Sequence, residues 1–403
     1  FFFKQKTAYE IPKRDWSSDV CSSDLKGFDY IIVGGGSAGC VLANRLSADP
    51  AIEVLLVEAG GRDWNPLIHV PLMGAWFLTH KWINWSYATE PEPNLANRKI
   101  DWPRGRVLGG SSAINGMVYT RGNRQDYDQW AQLGLREWSY EKVLPFFKRS
   151  ENFNDGANEY HGAGGPLEVT RPATPHKLYD SFVAAGQQAG YPLNPDFNGE
   201  KQEGFGRYHF TIKNGQRWST AKAFIDPVRS RKNLTILTRA HLLRVTTEKG
   251  RATGVEVKIG NARRTLTAAR EVVLSCGAVN SPTALMHSGI GPAEHLLKVG
   301  IRPVVDRAQV GKNLQDHLTI RVLHGCEEKD LTYDLRRIDK AIFNVLRAVV
   351  AKSGPATAFP LEGGAFIRSR PELEAPDLQI HFFPRSEEHT SELQSRFGIS
   401  YAV

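Results

Sequence analysis

The sequence predicts an α/β protein built on a parallel sheet, with a smaller antiparallel sheet in addition. Two observations support the parallel part: a strand-turn-helix-strand pattern over residues 30–60, and a buried β-branched run at residues 271–276. The antiparallel part is predicted by alternating polar and apolar residues over 254–259 and 264–267, which are typical of a hairpin.

The first pattern carries a phosphate-binding signature. Glycines spaced G-x-G-x-x-G stand at Gly34, Gly36 and Gly39, after a short apolar strand and before a helical pattern over residues 40–46. Gly34 permits the tight turn, Gly36 lets the backbone approach a pyrophosphate, and Gly39 lets the helix pack on the strand. The helix N-terminus then points its free N–H groups at the phosphates.

Glu58 follows Gly39 by 19 residues, at the end of the second predicted strand. A carboxylate there accepts hydrogen bonds from ribose hydroxyls and repels a 2′-phosphate, which favours FAD or NAD over NADP. The motif alone does not separate FAD from NAD, and a purely structural βαβ unit is the alternative.

The composition is that of an ordinary globular protein. The 403 residues suffice for two domains, and 41% of them are hydrophobic. The net charge is +8, but lysine and arginine are scattered, so we expect no nucleic-acid partner. No apolar run approaches the roughly 18 residues of a spanning helix. The four cysteines form no C-x-x-C pair and no cluster with histidine, which predicts a reduced protein without a metal site.

The two ends differ from the middle. Residues 1–26 and 386–403 contain patternless stretches, and the first has no apolar centre of the kind a signal peptide requires. We interpret both as translated sequencing-adapter DNA, that is, as a non-native leader and a non-native tail. Native disordered tails are the alternative.

A second glycine- and serine-rich stretch occupies residues 105–119. Its small residues let the main chain approach a flat ligand, and Gly110-Ser111 resembles the start of a helix with free N–H groups. A merely structural helix start is the alternative. The aromatic segment 64–87 before it either lines a cavity or covers a sheet face. Further along, residues 234–238 and 242–245 are predicted strands.

In this order, the pieces resemble the glucose–methanol–choline oxidoreductases, flavoenzymes that oxidise alcohols. The resemblance covers roughly residues 27–385 and rests on the first glycine turn, on 105–119, and on 277–282 with 288–291; residues 310–317 add a weaker element. It implies a Rossmann-like FAD-binding domain plus an α+β substrate domain on an antiparallel sheet, incomplete at the C-terminus. The FAD-binding domain would occupy 27–320 with interleaved substrate-domain segments, and the substrate domain would begin at 321–385.

The resemblance favours FAD and implies which residues contact it. It places the pyrophosphate at the first glycine turn, the ribose at Glu58, the flavin at the second stretch, and the adenine at Leu242. Ile114 stands where some relatives attach FAD through histidine, so we expect non-covalent binding. The implied cofactor contacts are Gly34, Gly36, Ser37, Gly39, Glu58, Ala59, Val107, Gly110, Ser111, Asn115, Gly116, Met117, Val118, Leu242 and Ala278.

Flavin-dependent alcohol oxidation needs a base for the hydroxyl proton, and histidine fits that role. In the family this histidine lies in a C-terminal segment that the sequence lacks after Pro384, so we assign no catalytic residue and expect the chain as it stands to be inactive. The alternatives are a non-catalytic FAD-binding fragment and an O₂-using alcohol oxidase. The expected partners are a small alcohol and an electron acceptor, either a quinone, a redox protein or O₂. The expected location is the cytoplasm, with membrane association through the acceptor left open.

Overall fold

The computed structural model describes residues 27–172, 174–320, 322, 337–384 and 401–402. The leader predicted at 1–26 and nearly all of the tail predicted at 386–403 lie outside these residues. The α-helices are α1 Ser37–Leu46, α2 Gly74–Phe77, α3 Arg124–Gln132, α4 Tyr140–Ser150, α5 Lys177–Gln188, α6 Gly277–His287, α7 Ala293–Lys298 and α8 Ile338–Val350. The strands are β1 Phe28–Val33, β2 Val54–Val57, β3 Tyr87–Ala88, β4 Asp101–Trp102, β5 Val118–Tyr119, β6 Glu151–Phe153, β7 Leu167–Val169, β8 Gly204–Arg207, β9 His209–Phe210, β10 Ile212–Lys213, β11 Gln216–Arg217, β12 Leu234–Leu237, β13 Ala240–Glu248, β14 Arg251–Ile259, β15 Ala262–Leu274, β16 Ile290–Gly291, β17 Val305–Asp306, β18 Gly363–Ile367, β19 Leu378–Phe382 and β20 Tyr401–Ala402.

A six-stranded sheet forms the centre, in the order β12-β2-β1-β15-β14-β13. Its first four strands are parallel, as the β-branched runs predict. In β1 and β2, alternate side chains point to opposite faces of the sheet. Ile32 and Leu56 pack in one buried cluster with helix α1, whereas Ile31 and Leu55 pack in another with β14 and β15. Burying both faces explains why β2 is apolar throughout and β1 is apolar from Ile31 onward.

The predicted separation of a hairpin from a later parallel strand was wrong. Residues 262–274 form one strand, β15, whose first half pairs antiparallel with β14 and whose second half pairs parallel with β1. No glycine or proline interrupts the chain between Thr267 and Glu271, so nothing ends the strand there. The hairpin therefore extends the central sheet, and β15 ends at Leu274, so that Ser275 lies directly beside the first glycine turn.

A second, four-stranded sheet has the order β20-β19-β18-β8 and is antiparallel. Helix α5 packs on it, with Phe182 stacked on Phe382 at a ring-centroid distance of 4.5 Å. Because β8 comes from the middle of the chain and β18 from residue 363 onward, the segments of this sheet are interleaved with those of the central one. Among the described residues, none of the helices is long and apolar enough to cross a bilayer.

Candidate cofactor-binding site

The first glycine turn has the geometry that its spacing predicts. Gly34 has φ +99°, and a β-carbon there would lie 2.6 Å from the Ser275 carbonyl oxygen. A β-carbon at Gly39 would lie 1.9 Å from the carbonyl oxygen of Gly34, so only glycine lets α1 pack this close to the turn. At Gly36 the nearest atom would be the Cα of Gly110, 3.9 Å away. Gly36 thus leaves open space that the other two glycines do not.

Glu58 lies at the end of β2 with 6% of its surface exposed. Its Oε2 accepts a hydrogen bond from the Gly35 N–H at 2.8 Å, and its Oε1 accepts one from the Gly60 N–H at 2.7 Å. Burial raises the pKa of this carboxyl to about 7, against the lowering effect of the two N–H donors. Each carboxylate oxygen has a further lone pair for a ligand hydroxyl.

A cavity of about 480 Å³, here called the first cavity, opens above this turn. Its volume is within the usual range for ligand pockets. The N-cap of α1 is Gly36, which has no side chain to occupy the helix N-terminus. Nine of the predicted contacts line this cavity: Gly34, Gly36, Ser37, Glu58, Ala59, Gly110, Ser111, Leu242 and Ala278.

Sequence reasoning missed part of the cavity wall. Trp85 and Tyr87 are stacked at 5.9 Å, and the Tyr87 hydroxyl donates to Asn280 Oδ1 at 2.7 Å. His241 and His287 line the same cavity. Only the aromatic content of residues 64–87 hinted at this wall, and it did not separate a cavity lining from a sheet cover.

The other predicted contacts lie elsewhere. Gly39 packs inside the turn, and Val107 is buried with Ile68 and Phe77. Asn115, Gly116, Met117 and Val118 continue away from the first cavity along the second glycine- and serine-rich stretch. Residues 110–113 form a 3₁₀ helix rather than an α-helix start.

The far end of this stretch reaches a second cavity of about 650 Å³. Val118 pairs with Phe210, and a β-carbon at Gly116 would lie 2.9 Å from the Phe359 ring. Phe210 and Phe359 both line the second cavity, as does Glu362, which is ion-paired with Arg207. The stretch thus runs from one cavity to the wall of the other.

Arg217 holds this stretch in place and was not predicted. Its guanidinium is fully buried, and burial lowers its pKa to about 9. It donates to Asn115 Oδ1 at 2.8 Å, to the Ser112 carbonyl at 3.1 Å and to the Ile68 carbonyl at 3.1 Å. No described carboxylate pairs with it, and the two-residue strand β11 that carries it is too short to give a periodic signal in the sequence.

A buried ionic network lies beside the second sheet. His161 Nδ1 is 2.9 Å from Glu151 Oε1, and its Nε2 is 2.9 Å from Asp196 Oδ2. Burial alone would lower the pKa of His161, but these hydrogen bonds outweigh it and the pKa is raised. Arg121 donates to the other oxygen of Glu151 at 2.9 Å.

His161, Asp196 and His209 bring donor atoms within 4.8 Å of one another, a grouping compatible with a metal ion that sequence spacing did not reveal. Both nitrogens of His161 already bond to carboxylates, so we interpret the grouping as an ion-pair network. The prediction of a protein without a metal stays a prediction. Cys40 and Cys276 are free thiols, and burial raises the pKa of each to about 12.

The fold and the first cavity together define a dinucleotide-binding α/β protein. A family model described as GMC oxidoreductase matches residues 28–319. An oxygen-dependent choline dehydrogenase from Rhizobium etli is 44% identical over 357 residues, which cover 88% of this chain and 65% of the relative. The chain belongs to the GMC oxidoreductase family.

Solved structures agree with this assignment. A pyridoxine 4-oxidase described as from Mesorbium loti superimposes with a TM-score of 0.78 at 31% identity, covering 93% of this chain and 70% of the other. A variant of formate oxidase from Aspergillus oryzae, studied for its FAD modification, gives a TM-score of 0.80 at 26% identity, covering 94% and 73%. The predicted fold class and the family's cofactor, FAD, are thereby confirmed. The chain spans 65% of the length of the choline dehydrogenase it matches.

Proposed function

We propose that this chain binds FAD non-covalently and belongs to an enzyme that oxidises the CH–OH group of a small alcohol. The ADP half would occupy the first cavity, and the flavin would lie along residues 107–118. When bound, FAD supplies the hydride acceptor for the alcohol carbon. The FAD-binding domain would comprise residues 27–320 with interleaved substrate-domain segments, and residues 321–385 would begin the substrate domain.

The observation that carries this proposal is the continuity of the second glycine- and serine-rich stretch between the two cavities. A dinucleotide is long, and its two ends need different surroundings. The first cavity offers a helix N-terminus and a carboxylate, which suit pyrophosphate and ribose. The second is lined by Phe210 and Phe359 and is large enough for a small alcohol.

The residues present fit FAD in specific ways. Gly36 leaves room for a pyrophosphate beside Gly110, and Glu58 presents two acceptor oxygens of which each uses only one lone pair on a backbone N–H. Arg217 fixes Asn115 and Ser112, which would keep the stretch under the flavin rigid. Ile114 is buried and has no nucleophile, which supports non-covalent binding.

The alcohol substrate is proposed from the relative, and the catalytic base from the lining of the second cavity. Choline is the alcohol named for the relative, and we propose a choline-like or other small alcohol. Glu362 is the acid in the wall of the second cavity, but Arg207 neutralises it. No described histidine lines the second cavity. We therefore propose that the base comes from outside the described residues, and the electron acceptor from a quinone, a redox protein or O₂.

Purified protein should be assayed with choline and a panel of uncharged alcohols, with and without an artificial electron acceptor, against free FAD as the control. Turnover with the acceptor alone supports a dehydrogenase, and equal turnover with O₂ supports an oxidase. Stoichiometric FAD binding without turnover above free FAD would favour the second candidate, a non-catalytic FAD-binding fragment. That candidate is favoured by the absence of a described histidine at the second cavity. Failure to bind FAD would overturn both.

A further inference from the structure

Arg217 carries a buried positive charge that no described carboxylate neutralises. It is 0% exposed, and its acceptors are three neutral oxygens: Asn115 Oδ1 and the Ser112 and Ile68 carbonyls. Its Nη2 group is buried and has no acceptor among the described residues. Because the side chain is fully enclosed, a carboxylate from elsewhere in the protein cannot reach it without displacing its neighbours. Burying a charge without a counter-ion is costly, which points to a functional role.

The Arg217 guanidinium is protonated at neutral pH. Burial lowers its pKa to about 9, which remains well above 7. The charge also acts on His69, the residue that follows Ile68. The pKa of His69 is lowered to about 4, first by burial and then by the charges of Lys222 and Arg217. The field of Arg217 therefore reaches the residues that pack around it.

The hydrogen bond from Arg217 to Asn115 fixes the orientation of an exposed amide. A guanidinium has donors only, so the Asn115 oxygen must face it and the Asn115 NH₂ group must point away. The same oxygen accepts the Met117 N–H at 3.1 Å, which occupies its second lone pair. Asn115 is exposed, and its Nδ2 has no acceptor among the described residues. Its N–H groups are therefore free donors on the open side of the second glycine- and serine-rich stretch, between the two cavities.

We propose that Arg217 is a positioning residue for the flavin: it aims the Asn115 N–H groups at the flavin ring and, through its unpaired charge, favours the reduced flavin. This inference rests on the proposed function, in which the flavin lies along residues 107–118. When bound, FAD takes two electrons and one proton from the alcohol carbon, while the hydroxyl proton goes to the base, so the flavin gains one negative charge. A positive charge and an amide donor polarised by it both stabilise that added charge, and they do so more strongly in a buried site than in water.

The test is the reduction potential of FAD bound to the purified protein, measured without oxygen by equilibration with reference dyes. Arg217→Met should shift the equilibrium toward oxidised FAD by at least tenfold, which is about 30 mV for two electrons. Asn115→Ala should shift it in the same direction. Because Asn115 is exposed, this variant should fold, and it decides the question where Arg217→Met fails to fold. Arg217→Lys keeps the charge and should stay within threefold of the wild type.

Arg231→Met is the matched control. Arg231 is also held by neutral oxygens, the Asn44 carbonyl and Ser47 Oγ, but it lies at the C-terminal end of α1 and not at the stretch. Its removal takes away the same charge and should leave the equilibrium within twofold of the wild type.

The outcomes separate this inference from the proposed function. Stoichiometric FAD binding with an unchanged potential in either Arg217→Met or Asn115→Ala would overturn the inference and leave the proposed function standing. A shift in Arg231→Met or Arg217→Lys as large as that in Arg217→Met would also overturn it, because the effect would then not depend on a charge at this position. A wild-type protein that binds no FAD would overturn the proposed function, and this inference with it.

Discussion

Glu58 offers the sharpest test of the cofactor site, through the substitution Glu58→Gln. Its two carboxylate oxygens accept the Gly35 and Gly60 N–H groups at 2.8 and 2.7 Å. An amide keeps one acceptor oxygen, but its NH₂ group would face a backbone N–H, donor against donor. Bound ribose would in addition lose a hydrogen bond to a charged group, which corresponds to about 1–3 kcal/mol. The Kd for FAD should therefore rise by roughly 5–150-fold.

The assay is titration of the apoprotein with FAD by calorimetry. Asp63→Asn is the matched control, because Asp63 is also a buried carboxyl with a raised pKa but does not line the first cavity. An unchanged Kd in the Glu58 variant would refute the ribose assignment. An equal loss in the Asp63 variant would show that any buried charge in this region has the same effect.

The stability of the apoprotein and its affinity for FAD should change with pH in opposite directions. Burial raises the pKa of Glu58 from 4.5 to about 7, so its contribution to apoprotein stability is present below pH 4.5 and is lost as the pH rises through 7. Ribose hydroxyls donate to the ionised carboxylate, so FAD affinity should instead fall as the pH drops below 7, by up to about tenfold per pH unit. The FAD affinity of the Glu58→Gln variant should not depend on pH in this range. If the pH dependence of the affinity is retained in the variant, it arises from another titrating group.

Three further predictions concern other parts of the site. FAD should be released when the protein is precipitated with acid, because Ile114 offers no nucleophile; flavin retained in the pellet, measured by absorbance, would contradict non-covalent binding. Gly36→Ala should leave the thermal midpoint within a few degrees of the wild type but weaken FAD binding. Gly39→Ala should prevent stable folding, because its β-carbon would lie 1.9 Å from a carbonyl oxygen. A calorimetric scan in which Gly36→Ala is the more strongly destabilised variant would refute the packing argument. His161→Gln should cost about 3–5 kcal/mol of unfolding free energy in urea, as for a buried ionic partner removed. Since the pKa of His161 is raised, this cost should shrink as the pH rises through that value, and a constant cost would exclude an ionic role.

The sequence was informative where local rules determine structure. The first glycine turn, helix α1 and strands β1 and β2 follow from glycine spacing and apolar periodicity, and nine predicted contacts line the first cavity. The sequence was uninformative where contacts join segments that are distant along the chain. Arg217 reaches Ser112 and Asn115 across about 100 residues, and His161 joins Glu151, at the start of β6, to Asp196, which is 35 residues further along the chain. Such pairs leave no periodic signal in the sequence.

The prediction of two separate elements in the region of strand β15 was wrong for a related reason. Its two halves pair with different neighbours, and each half has the pattern of its own partner, so the sequence suggested two elements. The structure also separates the second glycine- and serine-rich stretch into a part at the first cavity and a part near the second. Composition could not predict where that division falls, because small residues serve close packing at both ends.

The order of the central sheet has a consequence for how the protein is made. Strands β1 and β2 leave the ribosome well before their neighbour β15, which ends at Leu274, about 240 residues after β1. At roughly 5–20 residues per second, translation takes about 12–50 s to cover that distance. Until then the Ser275 edge of the first glycine turn does not exist, and the apolar edge of β1 is open. FAD loading must therefore follow synthesis of β15, and the nascent β1–β2 pair is the stage at which a chaperone would be needed.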